Sequence, residues 1–306
     1  GEVLCGVNKG LPGFSIPDDK GNWTGFDVDF CRAVAAAIFN DPGKAKFVPL
    51  DASERFKELQ SRKVDILSRN STWSMARELD YDLYFPAVAY YDGAGFMLPR
   101  SRNKETSLDL TGSKVCVQTG TTTALNVSDY FRANNMKYEE VKFDKLDDVV
   151  KAYDTGKCDT LSADVSQLYA LRINLSKPGD HMILPDMISK EPLAPVVRQR
   201  DDDWMMIVKW TLYAMINAEE LGVSSENIDE ALKSKKPEVM RLVGTEGNYG
   251  EQLGLTKDWV VRIIRHVGNY GEMYERNIGE KSKLKIPRGM NQLWNAGGVQ
   301  YAPPMR

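Results

Sequence analysis

The sequence predicts an α/β protein of two units, each built on an open, mostly parallel sheet flanked by helices. Three observations carry that expectation. Strand-like and helix-like stretches alternate from the N-terminus. The alternation restarts near Lys114 after an extended linker. At 306 residues the chain has the length of two ordinary domains.

Residues 3–7, Val-Leu-Cys-Gly-Val, read as a buried strand. From Asp27 onward, Val28, Cys31, Val34, Ala35 and Ile38 recur at helical spacing, and Asp27 and Asp29 suit the positive end of the helix dipole. A strand over 46–50, a helix over 53–61 and a strand over 64–67 continue the first unit. The second begins with a strand over 114–118 and a helix from Gly120 to about Asn134. A strand over 138–143, a helix over 146–155 and a strand over 160–162 follow, then a helix over 165–175 and a strand over 182–184. Residues 89–96 read as one linker, and 190–193 as the return to the first unit. Helices are expected over 203–221, 225–233 and 257–278. The Pro/Gly-rich residues 285–306 are expected to pack as an ordered extension.

The composition, 42% hydrophobic and 27% charged with a net charge of −3, is that of a folded globular chain. No basic stripe suits nucleic acid. No apolar run approaches the ~20 residues that span a bilayer. The chain starts at Gly1 directly before a strand, as a mature protein freed of its targeting segment would. Neither His181 nor His266 has metal-ligand spacing, and no nucleophilic motif is present, so no metal, cofactor or catalytic residue is expected. The four cysteines leave two readings open. They are four buried thiols, or two disulfides, Cys5–Cys31 and Cys116–Cys158, each contributing roughly 3 to 4 kcal/mol.

Three constellations could hold a ligand. Residues 65–77 run from a strand through a polar loop to Ser74, which can cap a helix whose third residue is Arg77. A guanidinium beside a helix start suits a carboxylate, because its planar fork binds both oxygens; the alternative is a surface pair with Glu78 or Asp80. Gly120, Thr121 and Thr122 follow a strand and open a helix, offering close backbone approach and hydroxyls, or simply an N-cap. Asp164, just past a strand, can accept from an ammonium at the sheet's carboxyl end or cap the next helix.

Gly25-Phe26-Asp27-Val28-Asp29, Asp65 followed by Arg77, Gly120-Thr121-Thr122, and residues 156–164 stand in the order and spacing of one family. Together they resemble the polar-amino-acid class of periplasmic solute-binding proteins, solute-binding protein family 3. Leu11-Pro12-Gly13-Phe14, the four cysteines and the ending from Pro287 to Pro304 are similar to its general L-amino-acid-binding members. That resemblance implies a type II periplasmic binding fold of two lobes, 1–92 with 194–306 and 93–193, closing on a cleft about a two-strand hinge. It implies Arg77 and Thr72 on the ligand α-carboxylate, with backbone N–H groups near Thr72 and Thr122. Asp164, the Asn70 carbonyl and the Thr122 hydroxyl would take the α-ammonium. Asn8, Leu11, Phe14 and Arg69 would line the side-chain pocket.

Many relatives carry an aromatic residue where Leu11 stands and an Asp where Asn8 stands. Their loss implies broad specificity, with Arg69 favouring acidic or amide side chains. The implied partners are free L-amino acids and the membrane permease of an ABC importer, with the carrier monomeric and not inserted in the membrane. An oxidising periplasm favours the two disulfides. The rival readings are a cleft enzyme of the same fold, similar to cyclohexadienyl dehydratase, and a ligand-sensing receptor domain.

Overall fold

The computed structural model describes residues 1–306. The chain divides into two compact units. Unit 1 comprises Gly1–Leu50, Phe56–Tyr90 and Ala194–Arg306; unit 2 comprises Asp51–Arg55 and Tyr91–Leu193.

Unit 1 opens with β1 (Val3–Asn8), a short hairpin of β2 (Ile16–Pro17) and β3 (Trp23–Thr24), and then α1 (Phe26–Phe39). The helix buries eleven of its residues, including the small run Ala35-Ala36-Ala37, and stops where Asn40 turns left-handed at φ 55°. β4 (Ala45–Leu50), α2 (Arg55–Gln60), β5 (Ile66–Thr72), α3 (Met75–Tyr81) and β6 (Leu83–Tyr84) follow. β1 lies between β4 and β5, parallel to both. Gly6 is required there: a Cβ would sit 2.5 Å from a Leu67 methyl. Leu50, Leu59, Leu67, Leu83 and Val196 form one core cluster under this sheet.

β7 (Tyr90–Asp92) leads into unit 2. The elements there are β8 (Ala94–Pro99), β9 (Lys114–Gln118), α4 (Thr123–Ala133), β10 (Glu139–Phe143), α5 (Leu146–Asp154), β11 (Thr160–Asp164), α6 (Val165–Arg172) and β12 (His181–Ile183). Its sheet runs β10-β9-β11-β8-β12, parallel across the first three strands and antiparallel at β8. Phe96, Val115, Val117, Val127 and Phe131 fill its core.

β13 (Glu191–Arg198) carries the chain back into unit 1 and joins its six-stranded sheet, in which β7 also pairs with β13. The remaining helices are α7 (Asp202–Glu220), α8 (Ile228–Ala231), α9 (Pro237–Val243), α10 (Tyr249–Gln252), α11 (Trp259–His266) and α12 (Tyr270–Asn277). No helix is long and apolar enough to cross a membrane.

The expected two-unit α/β architecture is present, each sheet parallel on one side and mixed on the other, where β8 runs against β11, β12 against β8 and β13 against β6. Some finer expectations are corrected. The stretch 89–96 carries two strands, β7 and the start of β8; Tyr91 is half-buried between buried Tyr90 and Asp92, and β8 is buried along its first five residues, as a strand inside a sheet is. β5 extends to Thr72, so residues 68–72 are strand and not loop. The expected helix over 257–278 breaks where Gly268 takes φ 98°. Asn269 then starts α12 with a capping box to Glu272, satisfying two amides that a continuous helix would have paired.

Both cysteine pairs are disulfide-bonded, Cys5–Cys31 tying β1 to α1 and Cys116–Cys158 tying β9 to the turn before β11. The C-terminal segment packs tightly on unit 1. The Arg288 guanidinium pairs with both oxygens of Glu219 at 2.8 and 3.1 Å and covers the rings of Tyr270 and Tyr274. The Ala89 carbonyl accepts from the Tyr270 hydroxyl at 2.6 Å and from Gln300 Nε2 at 3.2 Å.

Candidate functional site

In unit 1 the candidate residues gather at the carboxyl ends of β1 and β5. Ser74 caps α3, accepting the Arg77 amide at 3.4 Å, so the side chain of Arg77 leaves the first turn of the helix. It is buried: Nη1 donates to the Thr72 carbonyl at 2.8 Å, and the guanidinium lies 5.0 Å from the Phe56 ring centroid. The structure thus decides against Arg77 as a surface group. A guanidinium braced by a carbonyl and an aromatic face keeps its remaining N–H donors in a fixed plane.

Asn70 adopts φ 33°, an unusual conformation for a residue with a side chain. Its amide donates to Asp27 Oδ2 at 3.1 Å, and its side-chain oxygen accepts from Asn8 Nδ2 at 3.3 Å. Asn8 therefore faces Asn70, with its own carbonyl held by the Ser15 hydroxyl at 3.1 Å. Arg69 is buried and its Nε donates to the Leu50 carbonyl at 3.0 Å, tying β5 to the end of β4. Leu11 and Phe14 are both buried; the Phe14 ring meets those of Phe26 and Tyr90 edge-on at 6.2 and 6.0 Å.

The Gly25-Phe26-Asp27-Val28-Asp29 motif becomes intelligible here. At φ 137°, Gly25 packs so close to the Phe14 carbonyl that a Cβ would lie 2.1 Å from its oxygen. Phe26 enters the aromatic cluster, and Val28 is core. Asp29 accepts from Arg276 and Asn277 of α12 at 2.8 Å each, and from Arg32 at 3.2 Å. Burial pushes the Asp27 carboxyl up to about 7, against the opposing pull of the Asn70 amide and Arg69.

In unit 2, Gly120 turns left-handed at φ 73° between β9 and α4, its backbone lying against Ser53. Thr121 donates to the Gln118 carbonyl at 2.8 Å. Thr122 stands at the N-cap of α4 without capping it: its hydroxyl donates to Glu191 Oε2 at 2.8 Å. Glu191 is only 1% exposed and also accepts from Asn126 and from the Ser189 hydroxyl. Asp164 is buried at the last position of β11 and takes no capping bond from α6. Asp92 serves that end instead, accepting the Ser166 amide at 3.3 Å and the Gly93 amide at 2.9 Å. Burial raises the Asp92 carboxyl to about 6; the Ser166 and Gly93 bonds oppose the rise, and the Glu191 charge adds to it.

Asp92 and Glu191 are polar groups that the sequence reading overlooked. The signal for both is a lone carboxylate beside apolar residues, Tyr90-Tyr91-Asp92 and Glu191-Pro192-Leu193, in stretches dismissed as linkers. Elsewhere, a cavity of about 190 Å³ lies against the C-terminal segment, lined by Glu220, Arg241, Trp294 and Tyr301 among others and by none of the candidate residues.

Residues 3–227 match the family model of the bacterial extracellular solute-binding proteins, family 3. The chain belongs to that family. Over its whole length this solute-binding protein is 54% identical to the general L-amino acid-binding periplasmic protein AapJ of Rhizobium johnstonii, covering 90% of that protein. It is 46% identical, again over its whole length, to the glutamate/glutamine/aspartate/asparagine-binding protein BztA of Rhodobacter capsulatus, covering 91% of it. A solved ABC transporter periplasmic binding protein from Brucella ovis, with glutathione bound, superposes with a TM-score of 0.99. It is 53% identical, and the match covers 100% of this chain and 97% of that one. The fold of this solute-binding protein is the type II periplasmic binding fold.

Proposed function

We propose that this chain is a periplasmic carrier that binds free L-amino acids by their shared α-carboxylate and α-ammonium and delivers them to an ABC importer. The observation that supports it best is the buried, braced guanidinium of Arg77, presented at a helix start beside Thr72. An Arg in that setting binds a carboxylate with paired, charge-assisted bonds, each worth roughly 1.5 to 3 kcal/mol. Thr72 and nearby backbone amides assist it. Asp164, buried without capping its helix, accepts from the α-ammonium together with the Asn70 carbonyl. Thr122, already bonded to Glu191, contributes its backbone.

The relatives support the same chemistry. AapJ is named for L-amino acids in general and BztA for four acidic and amide ones. The glutathione in the Brucella ovis protein also ends in a free α-amino acid, its γ-glutamyl residue. Selection on the common backbone group leaves the side chain loosely restrained, which suits broad specificity, with acidic and amide side chains and γ-glutamyl peptides favoured. The chain acts by binding alone, as a monomer, without chemical turnover.

Calorimetric titration of all twenty L-amino acids and reduced glutathione, on protein unfolded and refolded to remove carried-over ligand, tests the proposal. Several chemically different amino acids are expected to bind at micromolar affinity or better, and Arg77→Ala and Asp164→Ala to lose binding. Binding that survives in both variants refutes the clamp.

A further inference from the structure

We infer that Asp27 is a positioning residue for ligand binding, holding the Asn70 backbone so that its carbonyl meets the ligand ammonium. The inference rests on the proposed role of Asn70 as ligand acceptor.

Asn70 stands at φ 33°, where a side chain is disfavoured and the surroundings must impose the conformation. Two contacts do so. Asp27 Oδ2 accepts the Asn70 amide at 3.1 Å, and Asn8 Nδ2 reaches the Asn70 side-chain oxygen at 3.3 Å. The first is the stronger, because an ionised acceptor roughly doubles the strength of such a bond. Asp27 also stands in the first turn of α1, where a carboxylate ordinarily serves its own helix. Here it reaches across 43 residues of sequence to β5 instead. Burying a carboxylate in this way is costly, and a plain packing role would be met as well by Asn or Leu.

Few charges face it. Arg69 approaches from β5. Among the charged groups on other elements packed against α1, several are engaged elsewhere: Arg276 of α12 with Asp29, Arg262 and Arg265 of α11 with Asp258 and Asp229, Glu272 of α12 with Ser225, Glu219 of α7 with Arg288, and Lys46 of β4 with the Gly43 carbonyl. The ionisation of Asp27 therefore reads out at Asn70. Its carboxyl is raised to about 7, so the anchor is largely charged at pH 8 and largely neutral at pH 6.

The test is calorimetric titration of the full chain with L-glutamine at pH 6, 7 and 8, whose α-groups keep their charge over that range. Wild-type affinity is expected to rise about fivefold from pH 6 to pH 8. Asp27→Asn is expected to bind about fivefold more weakly than wild type at pH 8 and to show no pH dependence. A merely structural role would alter the melting temperature and leave the pH profile of affinity in place.

If Arg77→Ala loses L-glutamine while Asp27→Asn keeps the wild-type affinity and profile, the positioning role is overturned and the amino-acid reading stands. If wild type binds no amino acid, both fall. Should Asp27→Asn fail to fold, a flat wild-type affinity between pH 6 and pH 8 overturns the inference.

Discussion

Thr122 and Glu191, 69 residues apart in sequence, meet through a hydroxyl–carboxylate bond of 2.8 Å. Glu191 also takes Asn126 from α4 and Ser189 from the bend just before its own strand, so one buried carboxylate fixes the start of that helix. Glu191→Ala strands three donors at once and is expected to lower stability by about 3 kcal/mol. Glu191→Gln, which keeps an acceptor, should lose less. Thermal unfolding of the two variants checks this, and equal melting temperatures would show the network to be idle.

The stability of the protein is expected to fall as the pH rises from weakly acidic to weakly basic. Asp27 and Asp92 have carboxyls raised from 3.8 to about 7 and about 6. The folded state therefore holds protons that the unfolded chain releases. Their contribution is complete below pH 3.8 and is lost as the pH passes through about 6 and then about 7. Urea midpoints at pH 5 and pH 8 measure the effect, with the higher value at pH 5. Asp27→Asn should narrow the gap; a wild-type midpoint that is higher at pH 8 contradicts the assignment.

Asp29 binds α12 to α1 through Arg276 and Asn277. Asp29→Ala is expected to cost about 1 to 2 kcal/mol, since it removes the charge-assisted bonds of a buried carboxylate while the half-exposed Arg276 guanidinium keeps the Val267 carbonyl and water. Hydrogen exchange should speed up selectively over residues 270–277. Unchanged protection there would assign the hold on α12 to its aromatic contacts alone.

The two disulfides lie one in each unit. The double variant Cys116→Ser/Cys158→Ser is expected to lower stability by roughly 3 to 4 kcal/mol through a less restricted unfolded chain. Denaturant titration checks this, with the Cys5–Cys31 bridge left intact.

Much of the fold is legible in the sequence because its signals are local. Strand β9 follows from Lys114-Val115-Cys116-Val117-Gln118 almost to the residue, and the run of small apolar residues in α1 gives that helix. The strands at 90–92 and 191–198 escape such reading, because Asp, Glu and Pro inside them look like punctuation. Their carboxylates are satisfied by residues far along the chain. The candidate site shows the same division. Ser74 capping the turn that carries Arg77 is a short-range feature and could be foreseen. The uses of Asp27 and Asp29 could not, since their partners lie 43 and 247 residues away. A motif can be matched by its order long before its physical meaning is visible.

The carbonyl of Ala89 has a further consequence, one of timing. Its two donors, Tyr270 and Gln300, stand 181 and 211 residues later in the chain. Unit 2 is nearly continuous, and the whole of 91–193 is synthesised before either donor exists. It can take shape early, whereas the Ala89 carbonyl of unit 1 meets these two donors only after residues 270 and 300 have been made. A chain truncated before Gln300 would leave that carbonyl with the Tyr270 hydroxyl alone, a local loss at the point where the C-terminal segment meets Ala89.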